Sequence, residues 1–262
     1  MKPMKKRMLD LKVVANERLH SKYYLLKFTA DDPLPAMIPG QFVQVRVEGS
    51  PSTFLRRPLS VNYVDKAANE MWLLVQIVGE GTKRMAAYQP GDYVNMLLPL
   101  GNGFSMPQLP ADAKILLIGG GVGTAPLLFL GDTLKSIGYK PEFLIGARTK
   151  DDLVMLSAFE KIGQTYLTTE DGSVGEKGFV THHYILSRQA FNQIYTCGPQ
   201  QMMVAVVRYA KASDIPCEVS LENMMACGFG TCLCCIEKTV HGNVCVCTEG
   251  PVFNMNQLTW QI

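Results

Sequence analysis

The sequence predicts a multidomain β and α/β protein, with an antiparallel β-barrel first, a parallel α/β domain second and a small cysteine-rich domain last. Three observations predict it. Short apolar runs separated by turn residues fill residues 8–99, strand-like and helix-like segments alternate from about residue 114, and cysteines crowd between Cys227 and Cys247. At 262 residues the chain can bury more than one core, and the expected domains are 1–108, 109–218 and 219–262.

The bulk composition narrows the class. Apolar residues make up 47% and charged residues 18%, which is ordinary for a globular protein and excludes a disordered one. A net charge of +2, with no cluster of Lys and Arg interleaved with aromatics, argues against a nucleic-acid partner. The basic start, Lys2 with Lys5-Lys6-Arg7, looks like the head of a signal peptide, but Asp10, Lys12, Glu17 and Arg18 interrupt the apolar stretch that should follow. A cytoplasmic protein is expected. Residues 115–131 carry no charge and approach membrane-spanning length, yet they contain five glycines and Pro126. A buried strand, a glycine turn and a buried helix explain them better than a membrane span.

In the first domain, Gln41-Phe42-Val43-Gln44-Val45-Arg46-Val47 places Val43, Val45 and Val47 on one face and Gln44 and Arg46 on the other. Pro39-Gly40 precedes that strand, Pro90-Gly91 precedes another, and residues 71–78 form a further apolar run. No convincing amphipathic helix interrupts these strands, so a small antiparallel barrel is expected.

In the second domain, Ile115-Leu116-Leu117-Ile118 is a buried strand feeding Gly119-Gly120-Gly121-Val122-Gly123 and a helix that runs to Gly138. Phe143-Leu144-Ile145-Gly146-Ala147 is the next strand, residues 152–161 read as helix, and Ile194-Tyr195-Thr196-Cys197 is a strand before a helix that Pro199 opens. A strand that ends in glycines and enters a helix suits a nucleotide. Its backbone can approach a diphosphate, and the helix start presents unpaired N–H groups. The fingerprint is imperfect, because Gly119-x-Gly121-x-x ends in Thr124 and no acidic residue follows the second strand, where Arg148 stands. A plain strand–helix turn is the competing reading. Cys197-Gly198-Pro199 offers a second such junction. Asp171-Gly172-Ser173-Val174-Gly175 lacks the first glycine of a nucleophile elbow, so an acyl-transfer serine is rejected, and the four histidines form no triad.

None of the eight cysteines precedes Cys197, and six lie between Cys227 and Cys247. Without a signal peptide this density points to metal and not to disulfides. Cys227-x4-Cys232-x2-Cys235 followed by Cys247 has the plant-type spacing in which four thiolates hold a [2Fe–2S] cluster. Gly228 and Gly230 would let the loop wrap the cluster with its N–H groups free for the sulfides. Zinc ribbons usually offer two separated Cys-x2-Cys knuckles, whereas here three thiols share one loop. Cys234 and Cys245 compete for places, and spacing does not decide between Cys245 and Cys247.

Arg56-Arg57-Pro58-Leu59-Ser60, Gly81-Thr82, the Gly119–Pro126 stretch and Cys197-Gly198-Pro199 together resemble the ferredoxin reductase family. The C-terminal run from Met225-Ala226-Cys227 to Cys247-Thr248-Glu249-Gly250-Pro251-Val252-Phe253 resembles a narrower family, the electron-transfer subunits of dihydroorotate dehydrogenase B. The resemblance covers essentially the whole chain. It implies an FAD-binding barrel in which Arg57, Pro58, Leu59 and Ser60 meet the cofactor, Leu74, Val75 and Gln76 lie along it, and Gly81 and Thr82 offer N–H and hydroxyl groups to its phosphates. It implies NAD at Gly120, Gly121, Gly123, Cys197, Gly198 and Pro199, and a cluster on Cys227, Cys232, Cys235 and Cys247. The broader family often has Tyr where this chain has Leu59, so an aliphatic group would cover that flavin face.

The implied activity is an NAD-linked flavin and iron–sulfur oxidoreductase subunit of pyrimidine (UMP) biosynthesis. Its implied partner is an FMN-containing catalytic subunit, two copies of each assembling, with no nucleic acid and no membrane involved. No catalytic residue is predicted, since hydride exchange needs no general base. Two other readings are a reductase subunit of a sulfite or sulfide system and a zinc-stabilised nucleotide-binding module.

Overall fold

A computed structural model describes residues 5–49 and 52–260. Lys2 of the basic start lies outside them. The chain divides into two compact units. One comprises the chain up to Gly103 with Asn223–Glu237 and Val244–Pro251; the other comprises Phe104–Glu222, Lys238–Asn243 and the chain from Val252 on.

The first unit is built on a seven-stranded antiparallel sheet. Its strands are β1 (Arg7–Arg18), β2 (Tyr23–Thr29), β3 (Phe42–Val45), β4 (Arg57–Ser60), β5 (Tyr63–Asp65), β6 (Glu70–Gln76) and β7 (Tyr93–Leu100), in the order β4-β3-β7-β1-β2-β6-β5. Alternation drives the inward face: Leu11 and Val13 of β1 are fully buried while Lys12 between them is exposed. Each such side chain contributes about 1.5–3 kcal/mol on burial. After β4 the chain crosses from one edge of the sheet to the other. The Val61 amide donates to the Gln41 carbonyl beside β3, and the Asn62 amide donates to the Trp72 carbonyl on β6, which curls the sheet toward a barrel.

Two details differ from the sequence reading. The strand expected to expose Gln44 is covered on both faces, so that all four residues of β3 are buried. A short helix, α1 (Glu80–Met85), stands where only strands were expected. It is too brief to show a helical period, and it is capped by Gly79 and the Thr82 hydroxyl.

The second unit holds a mainly parallel sheet of β8 (Ile115–Gly120), β9 (Pro141–Ala147), β10 (Thr165–Thr169), β11 (Glu176–Lys177), β12 (Gln193–Cys197) and β13 (Cys217–Ser220). The helices α2 (Ala125–Ser136), α3 (Leu156–Ile162), α4 (Ile185–Arg188) and α5 (Gln200–Ala212) belong to the same unit. Ile115, Leu116, Leu117 and Ile118 are all fully buried, as a central parallel strand requires. No helix among the described residues is long and apolar enough to cross a membrane.

The last segment adds a hairpin, β14 (Ile236–Thr239) and β15 (Gly242–Cys245), a turn of helix, α6 (Val246–Glu249), and a strand, β16 (Val252–Asn254). This last strand joins β13 antiparallel, so the second sheet runs β11-β10-β9-β8-β12-β13-β16. The residues from 219 onward are thus divided between the two units.

Candidate functional site

On the barrel, β4 lies at one edge of the sheet, with Arg57, Pro58, Leu59 and Ser60 all half-exposed and paired to Val45, Gln44, Val43 and Phe42 of β3. The Arg57 guanidinium runs across the first turn of α1, where a Cβ on Gly81 would stand 2.7 Å from Arg57 Nε. Glycine there is what lets the cation lie beside the helix start. Arg57 also donates to the Leu55 carbonyl at 2.7 Å. Thr82 is occupied locally: its hydroxyl accepts from the Val78 and Gly79 amides and donates to the Gly79 carbonyl. Leu74 and Val75 are buried, so β6 meets any cofactor through its backbone, while Gln76 is half-exposed and donates to the Tyr23 hydroxyl at 3.2 Å. Arg56 turns the other way. It donates to the Gln44 and Asn95 carbonyls and ties β3 to β7.

In the second unit, β8 is followed on one side by β9 and on the other by β12, which makes the C-terminal ends of β8 and β12 a topological switch point. Cys197 pairs with Gly119 across those ends. Gly120, Gly121 and Gly123 leave one strand and Gly198-Pro199 leave the other, so the structure brings all the predicted dinucleotide residues together. The two turns touch: a Cβ on Gly123 would stand 2.6 Å from the Gly198 nitrogen, and one on Gly120 would stand 3.1 Å from Pro199 Cδ. Gly121, with φ of +55°, faces open space where its side chain would be. That bare backbone ahead of α2 suits a diphosphate. The Cys197 side chain is fully buried and its thiol is pushed up by burial; Gly198 is buried as well, so Pro199 offers the accessible surface there. Ser173 is bound to Asp171 and to the Lys150 amide, in keeping with its rejection as a nucleophile.

The cysteine loop belongs to the first unit. All eight cysteines are free thiols; Cys235 and Cys247 are buried, Cys227 is half-exposed, and Cys232 and Cys234 are exposed. The four predicted ligands gather as two pairs, Cys227 with Cys232 and Cys235 with Cys247. Among the described residues no three His, Cys, Asp or Glu side chains gather about a single point as one ion would need. Two thiol pairs fit two irons, each held by two thiolates, better than one tetrahedral ion. Burial pushes the Cys227 thiol up, but hydrogen bonds from Thr231, from the Phe229 and Cys232 amides and from the Cys232 thiol outweigh it and bring the pKa down to about 5. A thiolate is the ligand form. Burial and the neighbouring Cys235 raise Cys247 to about 12. Its amide donates to Cys235 Sγ at 3.4 Å. Cys245 also reaches Cys235, so Cys245 and Cys247 both border this end of the loop.

The loop is seated on the barrel. A Cβ on Gly228 would stand 2.6 Å from Gln44 Cγ, and the Asn102 side-chain amide donates to the Thr248 and Glu249 carbonyls at 2.9 and 3.0 Å. Neither Gln44 nor Asn102 was marked by the sequence reading. Gln44 stood out only as a polar residue in an apolar strand, and Asn102 follows a turn with no motif of its own.

Residues 222–259 match the family described as the iron–sulfur cluster binding domain of dihydroorotate dehydrogenase B, and residues 117–208 match the oxidoreductase NAD-binding domain. A relative from Desulforamulus reducens, "Dihydroorotate dehydrogenase B (NAD(+)), electron transfer subunit", is 37% identical over 264 residues, spanning 97% of this chain and 99% of its own. A protein of the same name from Fusobacterium nucleatum is 36% identical over 93% of this chain and 95% of its own. Among solved structures, an NADH-dependent reduced ferredoxin–NADP oxidoreductase studied for flavin-based electron bifurcation superposes with a TM-score of 0.86 at 28% identity, covering 95% of this chain and 90% of that one.

Proposed function

Because the chain belongs to the family of dihydroorotate dehydrogenase B electron transfer subunits, we propose that it carries electrons from the FMN of a dihydroorotate-oxidising catalytic subunit, by way of a [2Fe–2S] cluster and FAD, to NAD+ in pyrimidine biosynthesis. The observation that carries this reading is the seat of the Cys227 loop on β3, the strand next to Arg57–Ser60, which puts the candidate ligands in one compact unit with the flavin motif. Flavin, when bound, exchanges a hydride with nicotinamide and single electrons with an iron–sulfur cluster.

The chain's own residues bind and orient. Arg57, held beside Gly81, neutralises diphosphate charge; Ser60 and Leu59 border the ring, and the β6 backbone at Leu74–Gln76 runs along it. Gly120, Gly121, Gly123, Gly198 and Pro199 shape the dinucleotide crevice, and Cys227, Cys232, Cys235 and Cys247 hold the cluster. On this reading, segments 1–108, 109–218 and 219–262 correspond to the three cofactors. Met224, Phe229, Leu233 and Ile236 are exposed apolar residues on the cluster segment and suit the seat of the catalytic subunit, in a cytoplasmic assembly of two copies of each.

Cys227→Ser tests the route. The variant complex loses the cluster and no longer couples orotate formation to NAD+ reduction, while NADH oxidation with an artificial acceptor, which needs FAD alone, survives. Coupled turnover that persisted without the cluster would overturn the proposal.

A further inference from the structure

Gln44 is fully buried on β3, and neither its Nε2 nor its Oε1 has a hydrogen-bond partner among the described residues. Each unpaired buried polar group of this kind costs about 1–3 kcal/mol. Such a group persists where something bound completes it. The strand neighbours offer nothing, since Gln44 is paired with Pro58 on one side and Leu97 on the other. Its main-chain carbonyl is already taken by Arg56. What faces the carboxamide is the cysteine loop. Nε2 would be 2.8 Å from a Cβ at residue 228, the residue immediately after Cys227. Gly228 has a φ of +78° and no side chain, and both properties let the loop close directly over the amide.

Resting on the proposed function above, we propose that the Gln44 carboxamide donates an N–H to the sulfur shell of the cluster at the Cys227 end, and so sets how readily the cluster accepts an electron. The donor set there fits: the Phe229 amide already donates to Cys227 Sγ at 3.5 Å. Reduction adds one negative charge to a group whose sulfurs carry much of it. A donor hydrogen bond therefore stabilises the reduced form more than the oxidised one. Gln44 is a positioning and tuning residue and touches no substrate.

The test is a redox titration of the isolated holo-subunit and of its Gln44→Met variant, which keeps the length and loses the donor. Removal of an unpaired amide leaves the fold intact, and an unchanged FAD content checks this. At the wild-type midpoint the ratio of reduced to oxidised cluster falls about threefold or more, on the scale of one hydrogen bond's net energy, while the flavin couple stays put. A second measurement needs no variant. Pulsed EPR on reduced wild-type protein, carrying heavy nitrogen only in glutamine side chains, shows a nitrogen coupling that Gln44→Met abolishes. A shift in the flavin couple alone, or no shift in either couple, overturns the assignment, as does an absent coupling. A wild-type holo-subunit without any reducible cluster would instead sink the functional reading on which it rests.

Discussion

Gly123 shows how much a single missing methyl group decides. The two glycine turns at the switch point approach so closely that a Cβ at this position would run into the Gly198 backbone, which cannot swing aside as a flexible side chain could. Gly123→Ala should spread the crevice at a cost of about 1–3 kcal/mol, the scale of overpacking. The expected result is a KM for NADH raised about tenfold, measured with an artificial acceptor, with FAD and iron content unchanged. Residues of this kind were legible because they lie in a contiguous run. The cysteine spacing was legible for the same reason, since a short loop must place its own thiols near one another. Gln44 was not. Its strand alternates as if half-exposed, and the residue that lies against its side chain, Gly228, is distant in sequence. Thr82 was legible by position but not by role, because its hydroxyl is spent on the backbone around Gly79.

At the scale of elements, the parallel sheet was the clearest part of the sequence, because Ile115–Ile118 is a continuously apolar run ahead of a glycine turn. Helix α1 escaped, since six residues cannot display a period, and β16 escaped because its pairing with β13 is antiparallel and joins segments far apart in sequence. The short helix α6 depends on a contact that no pattern announces. Asn102 donates three hydrogen bonds to this stretch, two from its side chain to Thr248 and Glu249 and one from its amide to Gly250. Asn102→Ala removes the side-chain pair from the carbonyls beside Cys247, and since these bonds are exposed the loss is about 0.5–1.5 kcal/mol for each. The expected outcome is faster bleaching of the cluster by a chelator, with FAD retention unaltered.

At the scale of the molecule, the C-terminal residues are not an appendage. They complete the barrel unit through Asn223–Glu237 and Val244–Pro251, and they complete the α/β unit through β16, whose neighbourhood buries Val252, Phe253, Met255 and Leu258. Four buried apolar side chains are worth on the order of several kcal/mol together, a large share of a domain's whole stability. Deleting residues 222–262 should therefore lower the midpoint of thermal unfolding by on the order of ten degrees or more, followed by circular dichroism. An unchanged midpoint would mean that the segment folds apart from the rest.

The seat of the Cys227 loop over Gln44 also imposes an order of events during synthesis. Strand β3 leaves the ribosome first, and the loop that roofs it follows on the order of ten seconds later at ordinary elongation rates. Throughout that interval the nascent barrel shows water, or a chaperone, an apolar strand with a polar amide at its centre. Iron delivery must wait until the segment through Cys247 has been made.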